Sequence, residues 1–315
     1  MDYQFKNCTE LLKLCKQYKL SISQVAIRRE MECYKKSRAQ VRNQMKKVRE
    51  IMWNAILLGI RSTKKSKYGL AGGDAAKIHG SLKKMSKLLH SKTAIRAMAY
   101  AIATNEQNAR METIVAFPTA GGSGVIPGVL FSTYQHMKSS KRKMLEALFG
   151  ASAIGVAILE HGGTFSAAKA GCQAEVGIAC AMAAAGVTEM RSGTPEQCVN
   201  AAALALKNML GLACDPLGGL VEVPCIKRNA LGALHAIGAS DLSLIGVKSL
   251  VPMDEVVEAM MNIAESMSDT IRETALGGLA VTETGLKIRK KMGLKSIPKK
   301  YIAYKKCGSC KKCDS

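Results

Sequence analysis

Residues 143–160 read KMLEALFGASAIGVAILE and residues 173–187 read QAEVGIACAMAAAGV. Both stretches are rich in Ala, Leu, Ile and Met, carry almost no charge, and are apolar on nearly every side of a 3.6-residue repeat. A helix of that kind is buried all round. Small side chains also let neighbouring helices approach closely. Similar Ala-rich stretches lie near 196–211, 226–240 and 254–268, with Gly or Pro in each gap. Thr194, Pro195 and Gln197 form a helix start, with a capping side chain, a proline in the first turn and a capping-box partner. The expected fold class is mainly α: a compact, all-helical catalytic domain with glycine-rich active-site loops.

Upstream, residues 7–60 and 75–110 also read as helices. They are separated by a break at 61–74 (RSTKKSKYGLAGGD) in which Gly69, Gly72 and Gly73 permit positive φ. Residues 118–128 (PTAGGSGVIPG) read as a second glycine-rich loop. Three regions are expected: a basic helical region 1–110, a helical catalytic domain 111–290 and a basic, cysteine-containing tail 291–315.

The formal charge is +22 and is unevenly placed. Residues 1–100 hold 23 Lys and Arg against 6 Asp and Glu, and residues 286–315 hold 11 basic residues and the single acid Asp314. A basic periphery can attract nucleic acid or anionic substrates. Nucleic acid is not expected here, because Trp53 is the only Trp and no aromatic stacking platform accompanies the basic residues. No membrane span is expected either. The longest strongly apolar run, Ala147 to Leu159, falls short of the ~18–20 residues a bilayer needs. With no secretory signal at its start, the chain is expected in the cytoplasm, where its 11 Cys would be free thiols and metal ligation is open to them.

Three cysteines stand at breaks between helices: Cys172 (AGCQAE), Cys214 (ACDPLGG) and Cys225 (VEVPCIKRN). Pro216 and Pro224 stiffen the loop between the last two, and Gly218 and Gly219 let it turn. Thiolates held this way, with a third from another helix start, are a donor set for an iron–sulfur cluster. A helix N-terminus favours the charged thiolate. No close CxxC pair accompanies them, so spacing alone leaves open that they are buried structural cysteines.

Longer motifs reduce that ambiguity. GCQAEVG (171–177), NMLGLACDPLGGLVEVPCIKRNALG (208–232), IRETALGGLAVTETG (271–285), PTAGGSGVIPGVL (118–130) and GLAGGDA (69–75) closely resemble the alpha chain of the iron–sulfur-dependent L-serine dehydratases. The resemblance extends over about residues 20–290. It implies a lyase that eliminates water from L-serine to give pyruvate and ammonia. It also implies a 4Fe–4S cluster on Cys172, Cys214 and Cys225, with one iron open to a small amino-acid substrate. A separate beta subunit or domain carrying a Ser-Ser-His-Thr motif is implied too. No such motif occurs in this chain, so a partner chain is expected to complete the enzyme.

Within that frame, Thr119, Gly121, Ser123 and Gly124 are expected to bind a substrate carboxylate through hydroxyls and loop N–H groups. Arg228 either clamps the carboxylate or neutralises the cluster, with Asn229 beside it. Glu175 and Asp215 are expected to hydrogen-bond around the ligands; for Asp215, helix capping is an equal alternative. No catalytic base is identified: His79, His90, His136, His161 and His235 all sit in ordinary helical or surface contexts. Cys307, Cys310 and Cys313 in the tail are compatible with an inert segment, a metal site short of one ligand, or a strand of chain that reaches the open iron.

Three departures from the family pattern bear on substrate. Tyr68 and Ala71 stand where hydroxyl-bearing residues are usual, the second loop reads PTAGGSG, and residues 161–166 read HGGTFS. Elimination from L-threonine or L-cysteine, or a homologue that kept the fold without turnover, are the alternatives.

Overall fold

The computed structural model describes residues 3–302, so the tail cysteines Cys307, Cys310 and Cys313 lie outside the described residues. Helices α1 (Cys8–Tyr18), α2 (Ile22–Cys33) and α3 (Arg38–Gly59) form the N-terminal part. Then come α4 (Asp74–Ser81), α5 (Lys92–Ala109), α6 (Val125–His136), α7 (Lys141–Glu160) and the one-turn α8 (Ala167–Ala170). A π-helical stretch, Gln173–Gly177, leads without a break into α9 (Ile178–Met190). The chain continues through α10 (Pro195–Lys207), α11 (Cys225–Leu244), α12 (Met253–Ser266), α13 (Glu283–Lys291) and α14 (Lys299–Ile302). Among the described residues there is no strand, and one isolated parallel bridge joins Cys214 to Arg272.

The mainly α expectation holds, and local rules explain the helix starts. Ser21, Ser37 and Thr194 each open a helix with a complete capping box, closed by Gln24, Gln40 and Gln197. Two details differ from the sequence reading. The segment 75–110 is not one helix: α4 stops at Ser81 and α5 begins only after the Ser91 cap. Residues 125–128, read as the end of the glycine-rich loop 118–128, instead open α6, because Pro127 falls in the first turn where no intrahelical N–H is required.

At the centre is α9, in contact with α6, α7, α10 and α11. Every residue from Ile178 to Thr188 is buried, as its all-round apolar sequence requires. Close approach depends on glycine. A Cβ on Gly186 would stand 2.6 Å from the Ala147 carbonyl of α7, and one on Gly128 would stand 2.8 Å from the Ala97 carbonyl of α5. One continuous apolar core runs from Phe5 to Ala264. Trp53 stacks on Phe131 at 5.0 Å and meets Tyr100 edge-on at 5.8 Å, so it packs the helical body. No helix among the described residues is long and apolar enough to cross a membrane.

Candidate functional site

The site is assembled from segments that leave or enter helices around the N-terminal end of α9. Gly171 (φ +70) ends the turn of α8, where a Cβ would meet the Leu212 carbonyl at 2.9 Å. Cys172 follows at once and is buried. Gln173 fastens this corner: its N–H donates to Leu212 O (3.1 Å), its Oε1 accepts from Gly211 N (2.8 Å) and its Nε2 donates to Met260 O (3.0 Å).

Cys214 is held by main chain alone. Its N–H donates to Ile271 O (2.8 Å), and its carbonyl accepts from Glu273 N (2.9 Å). Cys225 is the first residue of α11, as a thiolate site at a helix N-terminus requires. Its carbonyl accepts from Asn229 Nδ2 at 2.9 Å.

The three thiols are buried, unpaired by any disulfide and close enough to influence one another. Burial pushes Cys172 up to about 11; the Arg228 guanidinium works against this and Glu175 adds to it. Burial likewise pushes Cys225 up to about 12, with the charge of Cys172 adding to it. Cys214 is driven well above the ordinary thiol range, by burial first and then by Cys172 and Cys225. Three bare thiolates would therefore repel one another in a desolvated pocket. A polycationic centre bound by soft sulfur donors removes that penalty, so the donor set fits an iron–sulfur cluster.

Arg228 is the counter-charge. Its Nη2 donates to Asp215 Oδ1 (2.9 Å), its Nη1 donates to Ala213 O (2.8 Å), and it offers a hydrogen bond to Cys172. The second oxygen of Asp215 accepts from Leu279 N (2.8 Å) at the start of the short 3₁₀ turn Gly278–Val281, so this carboxylate caps a turn and anchors Arg228 together.

The glycine loop 118–124 lies against this group, but its polar atoms are arranged differently from the expectation. Gly122 N–H donates to Thr119 Oγ1 (3.1 Å), and Gly124 N–H donates to Asn229 Oδ1 (3.0 Å). Ser123 is fully buried and donates its hydroxyl to Ala120 O (2.8 Å). Asn229 also donates to Gly121 O at 2.7 Å. The Gly122 N–H is thus engaged within the loop and the Gly124 N–H by Asn229 of α11, which acts as the loop's latch. Such contacts link residues more than 100 positions apart, which a local pattern cannot show. Gly121 faces Glu175: a Cβ there would stand 2.5 Å from Oε2. The Thr119 hydroxyl also bonds Glu175, whose pKa is raised by burial against that bond and by the charge of Glu273.

Sequence reading passed over Glu273. Ligand atoms of Glu175, Cys214 and Glu273 lie within 4.8 Å of one another. The signal was present in IRETALGG, but only the backbone pairing of 271–273 with Cys214 brings it to the site. Ser66 and Glu222 were also passed over. They join the first glycine loop to the Cys214–Cys225 hairpin, Oγ to Oε2 at 2.5 Å.

Several histidines have other partners. His161 Nε2 pairs with Glu258 (3.1 Å), His235 Nε2 bonds Ala205 O (2.8 Å), and His79 stacks on Tyr100. Cys180 donates to Gly232 O (3.3 Å) inside the core, and Cys198 is buried on α10.

Comparison with known proteins agrees with this architecture. The family model described as "Serine dehydratase alpha chain" matches residues 17–280. The probable L-serine dehydratase alpha chain of Bacillus subtilis (strain 168) is 44% identical over 288 residues, 91% of this chain and 95% of that one. The L-serine dehydratase alpha chain of Peptoniphilus asaccharolyticus is 37% identical over 281 residues, 89% of this chain and 96% of that one. The L-serine dehydratase TdcG of Escherichia coli (strain K12) is 33% identical over 292 residues, covering 89% of this chain but 62% of the longer relative. A match over most of the chain, together with a cysteine-centred site on this helical frame, makes the protein a member of the serine dehydratase alpha chain family.

Proposed function

We propose that this chain is the catalytic alpha subunit of an iron–sulfur L-serine dehydratase, a lyase that converts L-serine to pyruvate and ammonia. The observation that carries the reading is the meeting of three buried thiols, two of them beside Arg228, in a member of this family. Cys172, Cys214 and Cys225 would hold a 4Fe–4S cluster. When bound, the cluster supplies a Lewis-acidic open iron that eases the departure of hydroxide, a poor leaving group.

The chain's own residues divide the remaining work. Arg228 balances negative charge at the thiols and is itself fixed by Asp215. Asn229 locks the loop 118–124 against the first turn of α11, which keeps Thr119 and Gly121 facing Glu175. In its buried setting, Glu175 retains a proton to higher pH than an exposed glutamate, which suits it to proton delivery near the thiols. Removal of the α-proton of serine needs a base, a part that none of the groups above is assigned. We assign that base to a partner chain, corresponding to the part of TdcG, more than a third of its length, that this chain does not match. Proton abstraction and loss of hydroxide leave aminoacrylate, which becomes pyruvate and ammonia in water. The reaction takes place in the cytoplasm, where the thiols stay reduced.

Anaerobic iron and sulfide analysis tests the assignment. The wild-type chain should carry iron and sulfide and absorb broadly in the visible. Each of Cys172→Ala, Cys214→Ala and Cys225→Ala should lose or destabilise the cluster, while Cys198→Ala retains it. Equal iron in all four variants would refute the ligand set. The ratio of kcat/KM for L-serine, L-threonine and L-cysteine in the assembled enzyme then fixes the substrate.

A further inference from the structure

The glycine loop 66–73 lies far in sequence from all three cysteines, yet its attachments gather beside one of them. Ser66 and Glu222 are both buried, and the Ser66 hydroxyl donates to Glu222 Oε2 at 2.5 Å. Ala71 N–H donates in turn to Ser66 Oγ at 3.3 Å. A relay from backbone amide to hydroxyl to carboxylate is strengthened by polarisation along its length. Ala71 packs with Ile226 in a small core of its own. The carboxylate of Asp74, one residue beyond the loop, accepts from Lys227 Nζ at 2.6 Å. Glu222, Ile226 and Lys227 all fall within three residues of Cys225, on the hairpin and first helical turn that carry its thiol. The carbonyl of Glu222 accepts from Ile226 N (3.0 Å), so the same residue also starts the helix.

The far end of the loop is anchored elsewhere. Glu106 on α5 accepts from Gly73 N (3.1 Å) and Asp74 N (2.8 Å). Gly72 (φ +119) lies so close to Lys64 O that a Cβ would come within 2.1 Å. The loop is therefore fixed at its far end by α5 and tied at its first residue, Ser66, to Glu222, three residues before Cys225.

We propose that Glu222 is a positioning residue that makes the glycine loop 66–73 follow Cys225, so that filling the thiol site also sets the loop. The proposal rests on the reading of Cys225 as a cluster ligand. It gives the loop a part in substrate recognition at the segment where Tyr68 and Ala71 depart from the family pattern.

Hydrogen exchange of the full chain, measured anaerobically with iron present and after chelation, reads the coupling directly. In the wild type, iron should slow exchange in peptides covering both 62–74 and 214–224. In Ser66→Ala and Glu222→Ala, iron should slow exchange at 214–224 alone. Glu222→Gln keeps an oxygen acceptor for the Ser66 hydroxyl and should behave as wild type. In the assembled enzyme, Ser66→Ala should raise KM for L-serine about tenfold, with a smaller fall in kcat. Wild-type exchange at 62–74 that ignores iron, or coupling that survives in Ser66→Ala, overturns the proposal. A wild-type chain that takes up no iron refutes the proposed function instead. The tether is then judged on iron-free protein, where Ser66→Ala and Glu222→Ala must speed exchange at 62–74 and unchanged exchange rejects it.

Discussion

Asp215 and Arg228 form an ion pair at 2.9 Å in which each partner also holds a separate piece of backbone, Asp215 the N–H of Leu279 and Arg228 the carbonyl of Ala213. The pair thus joins the Cys214 loop, α11 and the 277–281 turn. Truncating one member leaves the other buried without its counter-charge, a large effect by the usual scale. Asp215→Ala is expected to lower the unfolding free energy by about 2–3 kcal/mol, discounted for the part-exposed guanidinium. Asp215→Asn, which keeps the shape, should lose less. Denaturant titration of the iron-free protein checks both.

Gly121 and Gly124 separate chemistry from stability. A Cβ on Gly124 would lie 2.4 Å from the Ala101 carbonyl, a backbone atom that cannot step aside. Gly124→Ala should therefore destabilise the protein by about 2 kcal/mol or more. A Cβ on Gly121 meets the end of the Glu175 side chain, which can swing away. Gly121→Ala should fold nearly as well as wild type but reduce turnover about tenfold or more, because Glu175 is displaced. Thermal unfolding paired with steady-state rates distinguishes the two outcomes.

The carboxylate of Glu189 on α9 is turned inward, with Oε2 out of contact with solvent. Its Oε1 accepts from Ser23 N at 3.1 Å, while Oε2 has no partner among the described residues. Burial raises its pKa, so the folded chain favours the protonated carboxyl. A folded pKa above the unfolded one means a contribution that is fully present below the ordinary glutamate pKa and is lost as pH rises through the folded value. Glu189→Gln should consequently raise the melting temperature at pH 8 and leave it nearly unchanged near pH 4. A pH series of melting temperatures for both proteins measures the difference.

Tyr68 stands where the family pattern places serine. Tyr68→Ser should shift the kcat/KM ratio between L-serine and L-threonine by about tenfold, the scale of one gained or lost polar contact in a substrate site. An unchanged ratio would remove the loop from substrate recognition.

Much of this was readable from the chain because it depended on local rules. The Thr194–Gln197 box, the all-round apolar α9 and the placing of Cys172 and Cys225 at helix starts each follow from residues a few positions apart. Glu273 did not follow in that way, since only main-chain pairing across about 60 residues brings it to Cys214. The Ser66–Glu222 contact spans 156 positions, and the Asn229–Gly121 contact spans 108. A glycine-rich loop read in isolation offers every N–H to a ligand. Here Thr119 and Asn229 had already taken two of them.

The pairing of Cys214 with residues 271–273 also sets a timetable for biogenesis. During synthesis Cys172, Cys214 and Cys225 leave the ribosome well before Ile271, Arg272 and Glu273. Until those residues emerge, the main chain of Cys214 lacks both of its bonding partners. On the proposed cluster reading, loading is expected only once that pairing has formed, and a chain truncated ahead of position 271 is expected to keep all three cysteines but lose the main-chain support of Cys214.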